Sequence, residues 1–218
     1  MRPLILLVAL ILPGVLAMGD SPPDDKTGEK EALTPSVGVF LDFDFRPGNS
    51  SVEIMKKEVD DLLKPSGIHL DWRLTGDNSG KETFSGVVVV KFKGRCRAES
   101  WNQSASDFGS VGETVRLGAT EVKDGRVLPF TEVECDQVRK ALDYVHPGGD
   151  RQKALGLAMG RVVAHELYHI LAHTTGHATE GLAKATRSLR DLITPWGPGF
   201  REKDTEAMRK GFHPTPVN

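Results

Sequence analysis

The stretch from His165 to His177 reads HELYHILAHTTGH and concentrates four of the chain's seven histidines. It closes a proline-free run, Lys153–Ala172 (KALGLAMGRVVAHELYHILA). Leu155, Met159, Val162, Val163, Leu167, Ile170 and Leu171 give that run a broad apolar surface at helical spacing. A helix this apolar must lie inside the protein, with its histidines held at the edge of a rigid core. Positions i and i+4 of a helix share one face, about a turn apart. His165 and His169 can therefore meet one ion at ~2.0–2.1 Å, and Glu166 points near the ion's remaining open position. The reading is a Zn²⁺ site.

A catalytic zinc has three protein ligands and one open position. His173, His177 and Glu180 compete for the third place. On an unbroken helix His173 would sit ~12 Å along the axis from His165, too far to share a tetrahedral ion with it and His169. Thr174-Thr175-Gly176 reads as the helix exit, with Gly176 expected in the left-handed conformation that ends it. The chain then folds back and aims His177 at the metal, so His177 is the expected third ligand. Zinc in such a site lowers the pKa of water to ~7, and a neighbouring carboxylate can take the proton. Expected function is metal-assisted hydrolysis of a peptide bond with Glu166 as general base. The competing reading is a secreted, non-catalytic zinc-binding or peptide-binding protein, favoured if a fourth protein ligand closes the shell.

On these residues the chain resembles the zincin superfamily of metalloproteases, and its metzincin side in particular. That pattern is H-E-x-x-H-x-x-G-x-x-H followed by a methionine-bearing turn. His165, Glu166 and His169 match its first half, whereas Ala172 and Thr175 stand where the family glycine and third histidine would be. Gly176 and His177 resemble a shifted version of the same turn-then-ligand device, and Met208 falls in a helical segment well past it. The run HELYHILAHTTGHATEGLAK is also similar to small secreted bacterial zincin-like proteins of unsettled function, which carry HELYH, a T-x-x-H and a G-[LV]-A-K segment. The likeness is strongest over residues 115–184, weaker over 36–95 and absent at the termini.

Met1-Arg2 and the apolar Leu4–Leu16, followed by Val15-Leu16-Ala17, read as a secretory signal peptide over residues 1–17. The apolar run is shorter than the ~20 residues that span a membrane. Residues 18–35, polar and Pro-containing, read as a flexible leader. Residues 36–218 are left as one domain. The expected location is secreted or periplasmic, with no stable membrane association after cleavage. Cys96 and Cys135 are the only cysteines, and in a secreted chain a pair suggests one disulfide. A net charge of −2, with no basic run interleaved with aromatics, gives no nucleic-acid footprint. The expected partner is a peptide or protein substrate. Asn49 and Asn102 head glycosylation sequons, which matter only in a eukaryotic host.

Strands are expected at 37–43, 68–74, 86–93, 115–122 and 126–133, with Asp124-Gly125 as a hairpin turn. Helices are expected from Asn49/Ser50 to Lys64, opened by a Ser50/Glu53 capping box, and over 136–146 and 153–172. Short C-terminal helices are expected at 188–192 and 203–210. The fold class is mixed α/β (α+β). The order resembles a zincin, in which a twisted mixed sheet packs on the active-site helix and an edge strand lies beside the cleft. Arg126–Val133 is the candidate edge, since Pro129 has no N–H to donate. Tyr168 reads as core packing and Lys184 as a solvated lysine.

Overall fold

Alternation of apolar residues along Val37, Val39, Leu41 and along Val88, Val90, Phe92 builds one continuous buried surface, because the two strands pair in register. The computed structural model describes residues 36–77, 83–98, 116–145, 149–185, 188–194 and 197–212. The expected signal peptide and leader, Asn102 and most of the loop after Arg97 lie outside the described residues. The strands are β1 (Ser36–Phe43), β2 (His69–Leu74), β3 (Gly86–Lys93), β4 (Gly118–Lys123) and β5 (Arg126–Glu134). They form a mixed five-stranded sheet in the order β2-β1-β3-β5-β4. All neighbours are parallel except the β4–β5 hairpin. Asp124 and Gly125 turn that hairpin with φ of 52° and 75°, the paired left-handed conformation that Asp-Gly favours.

The edge beside the histidine-bearing helix is β4, not Arg126–Val133 as the sequence suggested. β5 lies between β3 and β4, and Pro129 is tolerated there for a local reason. Pairing with β3 begins only at Phe130, and the β4–β5 register slips between Thr120 and Val122, opposite Val127 to Thr131. Pro129 sits in that bulge, where neither neighbour needs an N–H.

Four α-helices are present among the described residues: α1 (Asn49–Leu63), α2 (Cys135–Val145), α3 (Arg151–Leu171) and α4 (Glu202–Phe212). The expected segment at 188–192 is a short 3₁₀ turn, Leu189–Leu192, capped by Ser188 and Asp191. α1 and α3 cover one face of the sheet and share the core with Phe92, Val133 and Met208. On the other face Val87 and Phe130 stay 47% and 44% exposed, so among the described residues no helix covers them. Gly156 and Gly160 let α1 and α3 approach closely: a Cβ on Gly156 would lie 2.7 Å from that of Ile54, and one on Gly160 would lie 2.8 Å from that of Glu58. Beside this contact the buried Arg161 donates to Glu58 Oε1 (2.8 Å) and to the Asp191 and Thr194 carbonyls. Each guanidinium nitrogen thus has an acceptor, and the ion pair ties α1, α3 and the 3₁₀ turn together.

Two local expectations are corrected. α1 begins at Asn49 after an N-cap at Gly48 with no side-chain cap bond. Ser50 thus falls inside the first turn, and Glu53 pairs with Lys56 rather than closing a capping box. α3 starts two residues before Lys153 because Asp150 caps it, accepting from the Lys153 N–H at 3.0 Å. The expected disulfide is present: Cys96 and Cys135, both buried, join the end of β3 to the start of α2. Such a bond fits an extracytoplasmic protein. No helix among the described residues is long and apolar enough to cross a membrane.

Candidate metal centre

The last turns of α3 carry His165, Glu166 and His169, and the burial of Leu167, Ile170 and Leu171 fixes which way this face points. His165 Nδ1 lies 2.8 Å from the Leu182 carbonyl, and His169 Nδ1 lies 2.8 Å from the Thr174 carbonyl. A carbonyl oxygen can only accept, so both rings carry their proton on Nδ1. That is the tautomer and outer-shell support typical of metal-ligating histidines. The two Nε2 atoms then face one another across 3.3 Å. In neutral rings this sets two lone pairs against each other, an arrangement relieved by a cation between them. Two ligands of a tetrahedral ion with ~2.0–2.1 Å bonds lie about 3.3 Å apart. Burial lowers the His169 pKa, against the pull of the Thr174 carbonyl, and so favours the neutral, ligand-competent ring.

His177 completes the group. One ring nitrogen from each of His165, His169 and His177 lies within 4.8 Å of the other two, close enough to hold a metal ion. The exit turn that delivers His177 differs from the expected one. His173, not Gly176, takes the left-handed conformation, with φ of 48°. Its N–H donates to the Ile170 carbonyl (3.2 Å) and the Thr174 N–H to the His169 carbonyl (3.0 Å). This bond pair is the Schellman motif, with His173 where glycine usually sits. The turn also presents the Thr174 carbonyl to the His169 ring, and the Gly176 N–H then donates to Thr174 Oγ1 at 3.0 Å.

The competing ligands are placed elsewhere. His173 is exposed and stands outside the histidine group. Glu180 is exposed and paired with Arg201. The segment after His177 folds back through an Ala178 N–H to Ala183 carbonyl bond of 2.9 Å, and it buries Leu182, whose carbonyl holds His165. Lys184, next along, is exposed as expected. Tyr168 is buried, with its ring against Phe200 and the edge of His169. Its role is packing. Met208 lies buried in α4 as part of the core.

Glu166 is 6% exposed and lies under β4. Thr120 Oγ1 is 2.7 Å from Glu166 Oε2 and 3.2 Å from the Glu166 carbonyl. Burial pushes the Glu166 pKa up. The Thr120 hydrogen bonds oppose this, with smaller help from the Arg116 and His177 charges. Gly118 makes room for the carboxylate: a Cβ there would lie 3.0 Å from Glu166 Oε1. Thr120, Gly118, Leu182 and Thr174 are the site residues that sequence reasoning missed. Two of them act through backbone carbonyls, which leave no residue-type signal. Compared along its length with known proteins, the chain matches no family model and no curated protein.

Proposed function

We propose that this chain is a secreted zinc metallopeptidase with a zincin-like arrangement of sheet and active-site helix. The observation that carries the reading is the pair of Nε2 atoms 3.3 Å apart, backed by Nδ1-to-carbonyl bonds, beside a buried carboxylate on the same helix. An all-imidazole set suits zinc among the available metals. His165, His169 and His177 would hold the ion. Among the described residues no fourth ligand joins them, which supports an open position over a closed structural shell. When bound, zinc supplies Lewis acidity that polarises a carbonyl and makes water acidic. Glu166 supplies the base. Held by Thr120, Glu166 would take the proton from water and then hand it to the leaving amine.

The test is metal content by mass spectrometry together with cleavage of a peptide library. Wild type, His173→Ala and Glu166→Gln are each expected to bind one zinc, and His177→Ala to lose it. Glu166→Gln is expected to lose hydrolysis while keeping zinc. Zinc lost with His173→Ala as well would indicate a closed shell and a structural ion. Full activity in Glu166→Gln would remove the assigned base.

A further inference from the structure

Glu166 is not the only charged group that the fold brings to β4. The Leu117 carbonyl accepts from the Glu134 N–H at 2.9 Å, which makes Leu117 a hydrogen-bonded partner of β5. Alternation along an antiparallel ladder then turns the backbone groups of Gly118 and Thr120 toward the open edge of the sheet. Arg116 lies on that edge. Its Nε donates to the Gly118 carbonyl at 3.3 Å, and Gly118 packs directly on Glu166 and Val162. The Arg116 side chain is exposed, and among the described residues no carboxylate forms a salt bridge with it. The Gly118 carbonyl engages only Nε, which leaves the two terminal NH₂ groups able to act as a planar fork that matches a carboxylate.

The opposite side of the centre has the same sign. Lys184 is exposed on the segment whose Leu182 carbonyl holds His165. Glu180, in the same segment, is already paired with Arg201. A substrate approaching β4 would thus meet, beside the base, a cation that no carboxylate engages in a salt bridge among the described residues.

Resting on the peptidase reading above, we propose that Arg116 is a specificity-determining residue that anchors a carboxylate of the bound peptide. The carboxylate belongs either to an acidic side chain or to the peptide's own C-terminus, and both present the same planar anion.

The experiment uses zinc-loaded Glu166→Gln protein and pooled fluorescent decapeptides. Each position in turn is Glu or Gln, and every pool is made with a free-acid and an amidated C-terminus. Fluorescence polarisation reads binding, and cleavage by the chain with Glu166 intact is read in parallel. We expect a preference of about tenfold or more for the acidic member of one of these contrasts. That ratio should fall to near one in Arg116→Ala and invert in Arg116→Glu. Arg116 is exposed, and an unchanged zinc content confirms that each variant keeps its centre. A Glu/Gln contrast assigns the anion to a side chain, and an acid/amide contrast assigns it to the C-terminus. A ratio near one before mutation, or one unmoved by Arg116→Glu, overturns the proposal. Charge-dependent binding lost in Arg116→Glu, without cleavage by the intact chain, supports the anchor while overturning the peptidase reading. Cleavage with no charge preference does the reverse.

Discussion

Gly118→Ala asks whether β4 presses on the histidine-bearing helix as tightly as the structure requires. The new Cβ would lie 2.7 Å from Val162 Cγ1, 3.0 Å from Glu166 Oε1 and 3.2 Å from Glu166 Cγ. Carbon atoms rest about 3.5–4.0 Å apart at their optimum. Neither neighbour yields easily: Val162 is buried and β-branched on a helix, and Glu166 is held by Thr120. Overpacking of this kind costs about 1–3 kcal/mol. In a domain of this size that lowers the melting temperature by roughly 2–12 °C. Val162→Ala alone should also destabilise, by ~1.6 kcal/mol for two methyl groups. In the double variant the new methyl fills the space the valine vacates, so the two losses should fall short of their sum by about 1–2 kcal/mol. Hydrolysis should not recover with stability, because the contact with Glu166 Oε1 remains, and a displacement near 1 Å costs on the order of 10²-fold in rate. Urea unfolding midpoints and initial rates, measured on all four proteins, separate the two effects. An unchanged midpoint in Gly118→Ala, or strictly additive losses, would refute the described contact.

Two further outcomes follow from buried polar partners. Thr120→Val removes the hydroxyl from a buried carboxylate at nearly constant volume. It should cost about 1.5–3 kcal/mol in urea unfolding, with Thr120→Ser restoring most of it; equal stability of the three proteins would deny the bond its role. Arg161→Ala removes a buried cation from the partly buried Glu58 carboxylate and from two carbonyls, and should cost about 3 kcal/mol. Zinc content per folded chain should meanwhile stay the same, since Arg161 bonds Glu58, Asp191 and Thr194 and none of the histidines; a loss below 1 kcal/mol would mean that water replaces the pair.

Local signals made much of the centre legible in the sequence. The apolar period of residues 153–172 placed α3, its i and i+4 histidines shared a face, Asp124-Gly125 turned a hairpin, and Cys96 paired with Cys135. The misread features depend on partners distant in the chain. Ser50 and Glu53 have a capping pattern, but the N-cap falls two residues earlier, at Gly48, and Glu53 is drawn to Lys56. Pro129 has an edge signature, but a bulge serves it equally well inside the sheet. Thr120 carries no motif at all. Its role exists only because the hairpin folds back over α3, 46 residues further along the chain.

The exit from α3 shows most clearly how site and fold bear on each other. Intrinsic preference favours Gly176 as the left-handed residue, since a side chain there costs about 1–2 kcal/mol. The protein places that conformation at His173. Stopping the helix at Gly176 would extend α3 through Thr174, whose carbonyl would then point along the helix axis and away from the ring of His169. Stopping it at Leu171 lets three bonds form in sequence: the Thr174 N–H closes the helix end, the Thr174 carbonyl fixes the tautomer of His169, and the Thr174 hydroxyl turns Gly176 toward His177. The cost of an uncommon backbone at one histidine is offset by the placement of two others. Strain of this size, next to a candidate centre, persists where surrounding contacts over-determine it. Here they do so through a single threonine.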